Sequence, residues 1–413
     1  MVLRGISIRP PGRPGRRGVM TVTTIQYENW RNVAAARVEF SPGINVLWGM
    51  NAQGKSNILE GIYFFARGRS FRGVRERELV RFGEPFAKAS LSFRRDGYAD
   101  DTALEAVIPE TGRKKLFRNG APLSSAAEMV GNFRAVLFTP AHLSVVTGGP
   151  AERRSFLDIA LSQISADYLA WLRRGTRLLA ERNALVKRAG DGEPVRREEW
   201  EVYAEGLAEC GVWIASYRRE YVALLSRAVE RYFSGMTGGA EIPALTYRSH
   251  ALPEGSDAPN PLTDPAGAGR TRPDPAPLYA KLTENREREI AAGSTLWGIH
   301  KDDVILTLNG VEARAYASQG QQRSFILSMK LGEAEIARTV GGEYPAVLLD
   351  DVFSELDENR RRYILDALSD GNAEGGEPSR QIIITSCEPD VIPGSRAGHV
   401  RFHRVEGGRV SEA

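Results

Sequence analysis

The sequence predicts an α/β protein, a mixed and mostly parallel sheet carrying a phosphate loop, with a helical lobe inserted into it. Three observations predict this. Apolar strand-like runs end in glycine or aspartate and lead into helices. One of these strand-to-helix junctions reads Gly-x-x-x-x-Gly-Lys-Ser. Residues 151 to 233 then switch to helical spacing in the middle of the chain.

Reading from Met20, strand patterns at Val22 to Tyr27 and Ala36 to Phe40 lead into Ile44-Asn45-Val46-Leu47-Trp48, an apolar run that ends in glycine. Past the loop, Ile58, Leu59, Ile62, Tyr63 and Phe65 recur at helical spacing. Residues 87 to 118 alternate and carry turn signals at Arg95-Asp96-Gly97 and Thr111-Gly112-Arg113, the pattern of an antiparallel meander. Residues 151 to 189 and 197 to 233 predict two long antiparallel helices, each about 55 Å, joined by Gly190-Asp191-Gly192-Glu193-Pro194. Tyr217 and Tyr221 lie on the apolar stripe of the second, where they read as core. Residues 251–277 hold seven of the 22 prolines and read as a mobile insertion. Strand patterns resume from Leu296, followed by a helix over Gln322 to Arg338, the run Ala346-Val347-Leu348-Leu349 ending in two aspartates, a helix over 358 to 369, and Ile382-Ile383-Ile384. The predicted division is a basic tail at 1–19, a head at 20–149 and 290–413, and an inserted lobe at 150–289. No internal repeat is evident.

Composition narrows the function. A chain of 413 residues with 42% hydrophobic and 26% charged content has the balance of a soluble folded protein. No apolar run is long enough for a membrane span or secretory signal, so the expected location is the cytoplasm, with no membrane partner. Two cysteines and five scattered histidines exclude a disulfide framework and a zinc site of ordinary spacing. The formal charge of +3 resides in the tail, whose five arginines (Arg4, Arg9, Arg13, Arg16, Arg17) are met by no acid. Removing the tail leaves 50 basic against 52 acidic residues, so a surface for polyanions must be a local patch. The tail itself reads as disordered.

Gly49-Met50-Asn51-Ala52-Gln53-Gly54-Lys55-Ser56 is the phosphate loop. Its glycines let backbone N–H groups curl around a β-phosphate, and the helix start adds partial positive charge. Lys55 neutralises the terminal phosphates, and the Ser56 hydroxyl suits Mg²⁺. Val347-Leu348-Leu349-Asp350-Asp351 supplies the metal-holding carboxylate, Asp350, and places Asp351 where a base orients an attacking water. Ser318-Gln319-Gly320-Gln321-Gln322-Arg323 offers a hydroxyl and glycine amides at another helix start, a second anion site.

These residues resemble one family closely, the RecF family of ABC-type ATPases from bacterial DNA gap repair. The resemblance is carried by Asn29-Trp30-Arg31-Asn32, Ser41 to Val46, the phosphate loop, Gly68-Arg69-Ser70-Phe71-Arg72 and Val136 to Pro140. Pro150 to Asp158, Gly298-Ile299-His300-Lys301-Asp302-Asp303, the Ser318 segment and the double aspartate continue it. It implies a dimer in which Ser318 and Gly320 of one copy close over ATP and Mg²⁺ held by the other, with Lys55, Ser318 and Asp351 as the catalytic set. Arg31 and Asn32 fall near the nucleotide. The implied partners are gapped DNA with its single-strand to double-strand junction, RecO and RecR, and the implied activity is a weak, DNA-stimulated ATPase that helps load recombinase. Ser354-Glu355-Leu356-Asp357 takes the D-loop position. Ala52 stands where the family has glycine and Ile299 where it has proline, Thr139 replaces the Q-loop glutamine of transporter ATPases, and Ser386 their switch histidine. Arg67, Arg69, Arg72, Arg75, Arg77 and Arg81, with Arg153 and Arg154, are the candidate DNA contacts. A transporter ATP-binding subunit and an SMC or Rad50-like head are the alternative readings; the long insertion speaks against the first, and the lack of long coiled-coil arms against the second.

Overall fold

The computed structural model describes residues 18–412 except 97, 99, 266–271, 370–379, 390–391 and 393–399. Of the tail expected at 1–19, residues 1–17 lie outside the described residues, whereas 18 and 19 are already strand. β1 (Gly18–Trp30) pairs with β2 (Val33–Glu39) across a turn in which Asn29 and Arg31 take positive φ. β3 (Ile44–Trp48) follows, and then α1 (Lys55–Arg67), which begins directly at the loop lysine. β4 (Phe86–Arg95), β5 (Thr102–Pro109), β6 (Lys115–Arg118) and β7 (Ala121–Leu123) form the expected meander. β8 (Ala135–Phe138) ends the first part of the head.

The lobe opens with α2 (Pro150–Ile164) and α3 (Ala166–Gly190), and returns through α4 (Arg197–Thr237). The single helix expected over 151–189 is therefore two. Ser165 leaves helical geometry, and its hydroxyl accepts from Tyr168 N at 3.1 Å, capping the second helix. At 41 residues, α4 is about 60 Å long. β9 (Pro243–Arg248), α5 (Ala276–Glu284), α6 (Arg286–Ala292), β10 (Asp303–Leu308) and β11 (Val311–Glu312) complete the lobe. Because β10 pairs with β9, the lobe runs past the expected boundary at 289.

The head resumes with α7 (Gln319–Gly341), β12 (Glu343–Tyr344) and β13 (Ala346–Asp350). α8 (Glu358–Ser369), β14 (Ile382–Ser386), β15 (Val400–Glu406) and β16 (Arg409–Glu412) follow.

The mixed character of the sheet is divided between two sheets. One runs β12-β1-β4-β5-β6-β7 with β2 on β1, and is antiparallel apart from its β12 edge. The other runs β16-β15-β3-β14-β13-β8, and is parallel except at β16. α1 lies between them. Its Ile58, Leu59, Ile62, Phe64 and Phe65 share a core with Ile25 and Leu91 of the first sheet and Leu137, Leu348 and Ile383 of the second. Gly61 is needed there, since a Cβ would stand 2.3 Å from the Tyr27 ring. Burial on both sides explains why β3, β13 and β14 read as continuous apolar runs.

The proline-rich segment departs from expectation. Ala251, Leu252, Ala258 and Leu262 are buried. Glu220 on α4 accepts from Leu262 N at 2.7 Å and Thr263 N at 2.8 Å, and Arg219 donates to Ser256 O. The part of 251–277 around Ser256 to Thr263 is thus packed on α4, where the Glu220 carboxylate satisfies the backbone N–H groups of Leu262 and Thr263. Residues 266–271 lie outside the described set.

Candidate nucleotide site

The loop Gly49 to Gly54 leaves the C-terminal end of β3, which is flanked by β14 and β15. Gly49 has φ +153 and Gly54 +111, and a Cβ on Gly49 would stand 2.2 Å from Val405 O. Gln53 ties the loop to the β15–β16 turn, accepting from Gly408 N at 2.9 Å and from Gly407 N at 2.6 Å. Lys55 is buried, and its ammonium donates to Gly49 O at 2.5 Å and Met50 O at 2.9 Å. The ammonium is thus aimed back across its own loop, a loop of the kind whose backbone N–H groups can form an anion-binding concavity.

Ser56 Oγ donates to Asp350 Oδ1 at 2.6 Å, and Thr385 Oγ1 donates to the same oxygen at 2.9 Å. This convergence of hydroxyl and buried carboxylate is a hard-oxygen donor set that fits Mg²⁺. Burial pushes the Asp350 carboxyl above its usual range, while the hydrogen bonds from Ser56 and Thr385 and the charge of Arg72 pull it down. Asp351 takes φ +52, a strained conformation for a residue with a side chain, and its N–H donates to Thr385 Oγ1 at 2.9 Å. Strain of this kind concentrates at functional sites.

Arg31 is held by Glu60, from Nε at 3.0 Å and Nη2 at 2.8 Å, and by Glu78 O. Asn32 accepts from Asn57 Nδ2 at 2.8 Å and packs on Gly54, so both residues flank the start of α1. Glu60, fully buried, also takes the Ser70 hydroxyl. Sequence reasoning missed Glu60 and Thr385; an acid inside the apolar face of α1 was the available signal for the first.

Ser318 caps α7 in a reciprocal pair with Gln321, accepting from its N–H at 3.3 Å and donating its own N–H to the Gln321 side chain at 2.6 Å. Gly320 stands beside the Arg360 guanidinium, which pairs with Asp357 at 2.7 Å. Thr139 caps a short 3₁₀ turn at Pro140–Leu143, and the Ser386 hydroxyl accepts from Glu388 N. Neither replaces the chemistry of a glutamine or histidine.

The candidate DNA arginines separate. Arg69, Arg72, Arg75, Arg77 and Arg81 are exposed on the segment after α1. Arg67 is half-buried, and burial lowers its pKa. Arg153 is a correction: it is 6% exposed and bonded through both Nε and Nη2 to Asp303, so it cannot reach a phosphate. Arg154 donates to Asp302 O at 2.8 Å and is part of the same joint.

Ala52 has φ +64, where glycine is at ease. Ala52→Gly is expected to shift the melting temperature little, because relieved strain of about 1 kcal/mol is offset by a looser unfolded chain. Ala52→Val, β-branched in the same conformation, is expected to cost about 1–2 kcal/mol. Paired thermal melts of the two variants check this.

A phosphate loop between buried parallel strands, an acid-tipped neighbouring strand, a second antiparallel sheet and an inserted lobe define a nucleotide-binding head of the SMC class. The RecF/RecN/SMC N terminal domain model matches residues 21–406. Within that class the chain belongs to the RecF family. It is 40% identical over 394 residues to DNA replication and repair protein RecF of Symbiobacterium thermophilum, covering 95% of this chain and 98% of that one. It is 34% identical over 393 residues to RecF of Ruminiclostridium cellulolyticum, covering 95% and 99%. A solved structure of the recombination mediator protein RecF with ATP, from the RecFOR pathway, matches with TM-score 0.84 and 31% identity over 97% of this chain and 100% of that one. The Smc head domain of Pyrococcus furiosus shares the fold, with TM-score 0.53 and 15% identity over 96% of each chain. Among the described residues, no helix is long and apolar enough to cross a membrane.

Proposed function

We propose that this chain is an ATP-dependent DNA clamp of recombinational gap repair. Two copies sandwich ATP, each closing Ser318 and Gly320 over the triphosphate held by Lys55 and the 49–54 loop of the other. The observation that carries the reading is the meeting of Ser56, Asp350 and Thr385 within 2.9 Å beside Lys55, while Ser318 caps a different helix in the same chain. One half of an ATPase site is assembled within each copy, and the other half is presented elsewhere. Ser56 and Asp350 would hold Mg²⁺, which would neutralise charge on the triphosphate. Asp351 orients water toward the γ-phosphorus and accepts its proton as the bond to the β-phosphate oxygen breaks, giving ADP and phosphate. Lacking the glutamine and histidine of transporter ATPases, the site turns over slowly, and hydrolysis serves release.

The arginine segment after α1 engages the DNA backbone at gaps, and RecO and RecR act with the clamp in loading recombinase from the cytoplasm. The relatives named as RecF and the RecFOR structure support this assignment. Light scattering with and without ATP·Mg²⁺ tests it. Wild type is expected to double in mass with nucleotide, whereas Ser318→Arg binds ATP and stays single. Full ATP occupancy with no change in wild-type mass overturns the sandwich.

A further inference from the structure

Phe82 is the most exposed large apolar side chain among the described residues, at 103% of its reference surface. Its setting is rigid. Arg81-Phe82-Gly83-Glu84 is a tight turn closed by Glu84 N to Arg81 O at 3.0 Å, with Gly83 at φ +84, the geometry of a type II turn with Phe82 at its first central position. The turn is tied down just before its tip. Buried Leu79 accepts from Arg31 N at 2.8 Å, Arg81 N donates to Asn29 O at 2.8 Å, and Val80 bridges to Trp30. Beyond the tip, Glu110 N donates to Pro85 O at 3.0 Å, so the ring is held in water by backbone bonds on both sides and does not fold back onto the core.

The surroundings are cationic in effect. Arg69, Arg75, Arg77 and Arg81 are exposed, and none shows an ion pair among the described residues. The segment from Arg67 to Glu84 holds six arginines against three glutamates, so it stays net positive even though, among the described residues, only Glu76 of these acids is charge-paired. Glu76 is bonded to Lys114, Glu78 accepts from Arg75 N, and Glu84 accepts from Asn29 Nδ2 at 3.3 Å. A lone aromatic ring on a stiff tip, beside Arg81 and on the segment that carries Arg69, Arg75 and Arg77, suits a ligand that offers phosphates and a flat apolar face together.

We propose that Phe82 stacks on an unpaired base where a DNA duplex gives way to single strand, while Arg75, Arg77 and Arg81 hold the adjoining phosphates. A base inside a duplex has both faces covered by its neighbours; the last base at a junction has one face free, and aromatic stacking on such a face is indifferent to sequence. The same turn of chain that anchors the tip carries Asn32 against Gly54 and Asn57 of the phosphate loop and α1, so the reading head is built onto the nucleotide site. The inference rests on the DNA-clamp reading and adds to it the feature that selects junctions.

The test uses the full chain with ATP·Mg²⁺, and two DNAs of equal length carrying 2-aminopurine, one fully paired and one with the probe at a single-strand to double-strand junction. Phe82→Ala is expected to weaken junction binding about tenfold and to abolish the fluorescence change there. Fully paired binding stays within about twofold, and Phe82→Trp restores the junction signal. Arg77→Ala weakens both DNAs alike and lowers the salt dependence. Equal effects of Phe82→Ala on both DNAs, or none on either, overturn the stacking role while wild-type binding leaves the clamp standing. Loss of a protein partner with junction binding intact also overturns it, by assigning the ring to a protein contact. Failure of wild type to bind either DNA overturns the clamp reading itself, and the stacking role with it. Because the ring touches nothing in the fold, melting temperatures of the Phe82 variants match wild type.

Discussion

Lys55→Met is expected to lose ATP binding by on the order of a hundredfold, and with it nucleotide-dependent pairing of two copies. The ammonium is buried and already aimed at the loop carbonyls of Gly49 and Met50, so little is spent on ordering it when phosphate oxygens arrive. A charge-assisted bond made in such a place is worth about 3 kcal/mol, which is roughly a hundredfold in affinity. Methionine keeps most of the stem and removes the ammonium, with its charge and its donors. Isothermal titration with a non-hydrolysable ATP analogue measures the loss, and an affinity within threefold of wild type would show that Lys55 does not contact the phosphates. The expected size of the effect exceeds that of Ser56→Ala, since Asp350 retains the Thr385 hydroxyl.

Arg218→Ala is expected to destabilise the lobe by about 3–5 kcal/mol, on the order of 10 °C in melting temperature. Its guanidinium is 2% exposed and donates to Asp158 at 2.8 Å, Ile299 O at 2.9 Å, Tyr168 Oη at 3.1 Å and Asp302 at 3.2 Å. Asp302, fully buried, accepts in addition from Tyr247 Oη at 2.6 Å and His250 N at 2.8 Å. This joint binds α2, α3 and α4 to the chain just before β10. Deleting the arginine strands two carboxylates, one of them without water, which is the costly way to break a buried pair. Asp302→Asn, which keeps acceptor geometry and drops the charge, is expected to cost less. Calorimetry of the two single variants and the double variant gives the coupling, and additive effects would contradict a shared network. The Asp302-Asp303 pair thus works as structure, with Asp302 on Arg218 and Asp303 clasping Arg153.

The parts of this protein legible in the chain alone were those set by short-range physics. The phosphate loop needs glycines before a lysine and serine at one spacing, and strands buried on both faces must be apolar throughout, so β3, β13 and β14 announced themselves. The capped start of α7 and the acid pair after β13 were legible for the same reason. Less visible was anything depending on a partner far along the chain. Arg153 looks like a surface cation beside Arg154 until Asp303, 150 residues later, folds against it. The prolines of 251–277 suggest looseness until Glu220 meets the backbone at Leu262 and Thr263.

By itself, the sequence determined the local parts: a phosphate loop at a strand-to-helix junction, a strand ending in aspartate and a capped helix start, each encoded in a few adjacent residues. Tertiary structure decided which charges remain free to act. It turned Arg153, Asp302 and Asp303 inward, brought Thr385 to Asp350, and left Phe82 with Arg75, Arg77 and Arg81 in water. The physical reason is that a charged group's role depends on desolvation and on who pairs with it, and both are properties of distance in space rather than of spacing along the chain.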